Sequence, residues 1–196
     1  MRWQAFTSLG YGARGVLYFC YWSPTGASFP WGGAMMVPRA LPGGPAVFQP
    51  GPKLAQAARI NAKLAAFGNF VLPAAHAGVF VANGTGASSA AVPSAASGGA
   101  LAAIGGSGAG PTWAALVGAY ASPGAGWASA VLLQNQDWVF PAVLNVTFTP
   151  QAPAAWELDP ATGSIAPAWD DAPALPGFQL YVDAGDARLL VFPAAN

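Results

Sequence analysis

No acidic residue occurs in the first 136 positions of this chain. Arg2, Arg14, Arg39, Lys53, Arg59 and Lys63 give that stretch six positive charges. Asp137 is the first carboxylate. Glu157, Asp159, Asp170, Asp171, Asp183 and Asp186 follow, against the single cation Arg188, which leaves residues 137–196 at −6. Neither half balances its own charge, so the simplest fold is one in which the two attract weakly across an interface. The same asymmetry denies the front half any paired carboxylates for acid/base work.

Composition narrows the possibilities further. The 196 residues fit one domain or two small ones. Only 7% are charged, against about 25% in an average soluble protein. Much of the apolar content is Ala, which buries little area per residue. Six cations spread over 136 positions do not form a nucleic-acid patch. Cys20 is the only cysteine and His76 the only histidine, which excludes an internal disulfide and makes a poor zinc set. No metal and no cofactor is expected. The charge-free window Gly98–Ala121 is too rich in Gly, with Pro111, to make a spanning helix, so no membrane partner is expected. Met1-Arg-Trp-Gln4 is followed by no clean apolar stretch of the kind a signal peptide needs.

Periodicity places the elements. Residues 2–13 read as a helix, with Trp3, Phe6 and Leu9 at three-residue steps. Gly15-Val-Leu-Tyr-Phe-Cys-Tyr-Trp22 is apolar throughout and suits a buried parallel strand. Residues 23–50 read as a long Pro/Gly loop. Pro52 opens a second helix whose apolar face carries Leu54, Ala57, Ile60, Leu64 and Phe67, with Gly68 placed to cap it. Residues 69–82 read as short strands, and 83–111 as a flexible Gly/Ala/Ser insertion. Short strands follow at 113–120, 127–133, 143–149, 178–182 and 188–192, separated by turn signals such as Asp159-Pro-Ala-Thr-Gly163. The expectation is an α/β segment over 1–75, then an antiparallel β-sandwich over 76–196 with the insertion at 83–111.

Three segments carry a resemblance. Leu9-Gly-Tyr-Gly-Ala-Arg-Gly-Val-Leu-Tyr-Phe-Cys-Tyr-Trp-Ser-Pro24 looks like the last helix-to-strand step of a barrel, and Lys53–Phe67 like the barrel's eighth helix. Leu132–Asn135, Trp156–Gly163 and Phe178–Leu190 resemble the β-domain that trails such barrels. Together they are similar to the C-terminal part of a (β/α)8-barrel glycoside hydrolase of the β-galactosidase-like type. The resemblance implies an α/β fragment, the last strand–helix units of a TIM barrel, followed by an all-β sandwich. It also implies glycosidic chemistry by two carboxylates, supplied by earlier strands that this sequence does not contain. No catalytic residue is therefore assigned, and the chain alone is expected to lack hydrolase activity.

What the resemblance leaves is a binding surface. Tyr21 and Trp22 fall where a barrel strand ends, Trp31 lies in the loop that follows, and the three are the candidate sugar-binding residues. Trp3, Trp113, Trp127, Trp138, Trp156 and Trp169 read instead as core or interdomain packing. Glu157 and Asp159 share a strand face but precede a turn, and read as solvated. Asn83 and Asn145 stand in glycosylation sequons. Two functions remain open: a carbohydrate-active fragment that lacks its catalytic acids, or a non-catalytic carbohydrate-binding or structural sandwich module. An upstream barrel segment or a second copy is the partner expected to cover an open barrel edge. A secretory or extracellular location follows only if a parent enzyme carries a signal peptide.

Overall fold

The computed structural model describes residues 1–18, 21, 35–41, 43–94, 100–108, 112–122, 127–150, 152, 154–170 and 177–194. The described residues form two helices, α1 (Arg2–Gly10) and α2 (Pro52–Val71), and twelve strands. A hairpin, β1 (Met36–Leu41) and β2 (Gly44–Pro50), precedes α2. After α2 come β3 (Ala75–Thr85), β4 (Ser89–Ala91), β5 (Leu101–Gly108), β6 (Thr112–Ala121), β7 (Trp127–Asn135) and β8 (Ala142–Phe148). The last four are β9 (Ala154–Leu158), β10 (Ile165–Asp170), β11 (Gly177–Val182) and β12 (Ala187–Pro193).

Ten strands make two facing sheets. One has six strands in the order β10-β9-β12-β7-β6-β3, and the other four in the order β11-β8-β5-β4. Every described strand pair is antiparallel. Ile104, Trp113, Val117, Leu133, Leu144, Val146 and Leu190 fill the space between the sheets. The helices cover the other face of the larger sheet, where Phe6, Leu9, Phe67 and Val71 meet Tyr120, Leu132, Leu189 and Val191. The sequence mirrors this layering. In β7 the burial is continuous from Ser129 to Asn135, because both faces of that sheet are covered. In β8 it alternates residue by residue, because one face of the smaller sheet is wet.

The architecture overturns the barrel expectation. The described residues contain no parallel strand pair, and β2 and β3, which flank α2, belong to different sheets rather than to one barrel wall. The protein is predominantly β, with two helices laid on the outside of a sheet. In the run expected as a strand at 15–22, residues 15–18 are irregular and Leu17 is 97% exposed, while residues 19, 20 and 22 lie outside the described residues. An apolar run without alternation does not by itself distinguish a strand from other structure. With the barrel expectation goes the resemblance to a barrel glycosidase that rested on it.

Three smaller corrections have local causes. The loop expected at 23–50 contains the β1–β2 hairpin, whose turn uses Gly43 at φ +69°. The cap expected at Gly68 does not form, since α2 runs on to Val71 and ends at Leu72 with φ −69°. Arg14 meets the carbonyls at that end, donating to Val71 at 3.1 Å, to Leu72, and to Ala74 at 2.8 Å. Within the flexible insertion expected at 83–111, the described residues instead include the end of β3 and all of β4 and β5. Two of its glycines, Gly84 and Gly106, are packing residues. A Cβ at Gly106 would lie 2.8 Å from the Trp113 ring, and one at Gly84 would lie 2.9 Å from it.

Helix α1 reaches the sheet through an equally tight contact. A Cβ on Gly118 of β6 would sit 2.6 Å from the Gly10 carbonyl oxygen. Beside it the buried Tyr120 hydroxyl donates to the Leu9 carbonyl, and His76 packs edge-on to the Tyr120 ring at 5.5 Å. Burial pushes the Tyr120 hydroxyl far above its ordinary range, and nearby Arg14 opposes this only in part. A raised folded pKa means the contribution is complete below the unfolded value of about 10 and is lost as pH rises beyond it. Unfolding free energy should therefore fall by as much as about 1.4 kcal/mol per pH unit above pH ~10 through this residue. Tyr120→Phe should flatten that limb in chemical denaturation measured across alkaline pH. An unchanged slope would remove Tyr120 as its source.

Candidate functional site

The charge asymmetry of the sequence resolves at one corner of the molecule. Asp186, at the start of β12, accepts from Lys63 Nζ at 2.9 Å and lies 4.0 Å from Arg2 Nη1. Both pairs join the acid-free half to the acidic one. Lys63 also stands over the rings of Phe6 and Phe67, 5.4 and 5.7 Å from their centroids. Burial pulls its ammonium below the ordinary lysine range, although Asp186 works against that. Arg2 donates in addition to the Ala184 carbonyl. The ion pairs thus tie α1 and α2 to the β11–β12 turn.

A network of amides ties α1 to the end of β7. Gln134 is fully buried; its Nε2 donates to the Trp3 carbonyl at 2.8 Å. Its Oε1 accepts from Thr7 Oγ1 at 3.0 Å and from Gln136 Nε2 at 2.8 Å. The Trp3 indole N–H donates to the Gln136 carbonyl at 3.0 Å, which fixes the ring's direction.

The loop after β7 is held just as firmly. Buried Asn135 donates to the Phe140 carbonyl at 2.8 Å and accepts from the Asp137 N–H at 2.9 Å. Asp137 Oδ1 accepts the Val139 and Phe140 N–H groups at 2.8 and 2.9 Å, an Asx turn that closes the loop on itself. The Gly185 N–H donates to the Asp137 carbonyl at 2.6 Å. Gly185 adopts φ +64°, and a Cβ there would lie 3.0 Å from Trp3 Cβ. This framework leaves Trp138 79% exposed, with Val139 and Phe140 beside it.

Between these elements lies a cleft of about 370 Å³, lined by Arg2, Trp3, Gln56, Arg59, Ile60 and Trp138 along with Met1, Ala184 and Gly185. A second hollow of about 480 Å³ continues past the same two indoles to Gln4 and Gln136. The lining combines two indoles, amides and guanidinium groups and contains no carboxylate. Sequence reasoning assigned Trp3 and Trp138 to packing. In the structure Trp3 is 37% exposed and both line this cleft, whereas Trp113, at 2%, is core. The local signal for Trp138 is its frame, Asn135-Gln-Asp137 before it and Pro141 after it, which reads as a turn.

The other candidates do not converge on this place. Tyr21 lies half-exposed near the start of β1, its carbonyl accepting the Met36 N–H at 2.8 Å. Trp22 and Trp31, like Cys20, lie outside the described residues. Asn83 is exposed on edge strand β3, and Asn145 is half-buried on the wet face of β8, in register with Gln179 and Gly105. Glu157 pairs with Arg188. Asp159 holds its turn through the Ala161 N–H at 2.8 Å and Thr162 Oγ1 at 2.9 Å, bonds that lower its pKa. His76 lies in β3, its Nε2 3.0 Å from the Gly10 carbonyl. Among the described residues no group of three His, Cys, Asp or Glu side chains could hold a metal ion. No described helix is long and apolar enough to cross a membrane. Compared with protein families, with curated proteins and with solved structures, the chain finds no match.

Proposed function

We propose that this chain is a non-catalytic, carbohydrate-binding β-sandwich module of a carbohydrate-active protein, and that the Trp3–Trp138 cleft is its binding site. The observation that carries this reading is the pair of exposed indoles lining one cleft with amides at its margin. Indole faces stack on the C–H faces of sugar rings, while amides and guanidinium groups bond the hydroxyls around the ring. Trp3 is locked by its bond to Gln136 and the Trp138 loop by its Asx turn. Little side-chain and loop freedom is then lost when a ligand arrives. The cleft offers no carboxylate pair for hydrolysis, since Asp186 is engaged by Lys63 and Arg2.

The test is calorimetric titration with a panel of oligosaccharides, followed by Trp138→Ala. Truncating an exposed aromatic anchor should weaken binding by about tenfold or more. Stability should stay within about 0.5 kcal/mol, because the side chain packs on little. A panel without a binder, or affinity indifferent to Trp138→Ala, would overturn the assignment.

A further inference from the structure

We infer that the ligand of this cleft is an acidic sugar, a uronic-acid residue whose carboxylate is gripped by Arg59; this rests on the carbohydrate reading above. The argument begins with which charges are already engaged. Lys63 is committed to Asp186, and Arg2 is shared between Asp186 and the Ala184 carbonyl. Arg59 is exposed on α2, lines the cleft, and pairs with no acid among the described residues. Gln56, one helical turn earlier on the same face, lines the cleft beside it.

The cleft's lining carries two guanidinium groups, Arg2 and Arg59, and no acidic side chain, which leaves an excess of positive charge there. Such a hollow attracts an anion before any contact is made. A guanidinium fork matches the two coplanar oxygens of a carboxylate. A sugar ring lying on an indole presents its C–H face to the ring and its carboxylate at the rim, away from the electron-rich face. A uronate therefore satisfies both parts of the lining at once. One guanidinium unpaired with any acid among the described residues suits a single planar charge better than the multiple charges of a nucleotide.

The experiment titrates the full chain with trigalacturonate, with its fully methyl-esterified form and with a sulfated trisaccharide, following tryptophan fluorescence. The free acid should bind about tenfold more tightly than the ester at low ionic strength. That advantage should largely vanish near ~1 M salt, where screening acts over about 3 Å. Arg59→Gln should bring the acid-to-ester ratio to about one, while Arg39→Gln, on β1, should leave it unchanged. Equal binding of acid and ester overturns the uronate inference and leaves the carbohydrate reading standing. Binding of none of the three on a chain that binds neutral sugars does the same. No binding of any saccharide removes both. Equal binding of the sulfated sugar, or an equal effect of Arg39→Gln, replaces carboxylate recognition with general charge attraction.

Discussion

Gly118→Ala is expected to destabilise the protein by about 3 kcal/mol, near the upper end of the cost of overpacking. One added methyl group is enough because the obstacle is backbone. The new Cβ would stand 2.6 Å from the Gly10 carbonyl oxygen and 2.8 Å from its Cα. Neither can rotate away as a side chain would. Either α1 lifts from β6 or the sheet bends, and both loosen Phe6 and Leu9 from their places against Leu132 and Tyr120. For a chain of this length the loss corresponds to a fall in Tm of about 10 °C. Gly15→Ala is the control: nothing lies within 4 Å of that Cβ, so its stability should barely change. Since α1 carries Arg2 and Trp3 into the cleft, Gly118→Ala should also weaken ligand binding without touching the ligand. Thermal and chemical unfolding of the two variants decide the matter. Equal stability would mean that the helix does not rest on β6 as described.

Trp113→Ala should cost more, about 4 kcal/mol, the usual range for emptying a large buried aromatic site. The ring is nearly inaccessible and lies between the two sheets. Its neighbours cannot close the gap, because Gly84 and Gly106 flank it and have no side chains to move in. Trp113→Phe should cost much less. The indole N–H has no partner among the described residues, so the smaller ring removes a buried, unpaired donor while keeping most of the apolar contact. Denaturant midpoints for the wild type and both variants test this ordering. A Phe variant as unstable as the Ala variant would show that the indole N–H has a partner after all.

These two sites also show where the sequence was readable. The strands β6, β7, β8, β11 and β12 announce themselves through alternation or through apolar runs of strand length, and α2 through its apolar stripe. Their pattern is set by burial against a neighbouring layer, which local sequence records. The segment from β3 to β5 hides because its small residues answer to the Trp113 ring, a partner that composition does not reveal. Gly, Ala and Ser look the same whether they serve freedom or tight packing. The run at 15–22 misleads for the opposite reason: it is apolar, yet residues 15–18 form no strand. The cleft shows the limit most plainly. Trp3 and Trp138 are separated by most of the chain, and only the stacking of α1 on the sheet makes them neighbours. What the sequence did disclose was the attraction between its halves, realised in the Lys63–Asp186 and Arg2–Asp186 pairs.

The strand order of the larger sheet has a consequence for synthesis. The last of the described strands to be synthesised, β12, is inserted between β7 and β9 rather than added at a margin. Until it arrives, β7-β6-β3 and β10-β9 are separate pieces, and the nascent helices lack both Leu189 and the carboxylate of Asp186. The larger sheet therefore closes like an arch whose keystone comes after its other stones, with little of its cooperative stability present before β12 has been made.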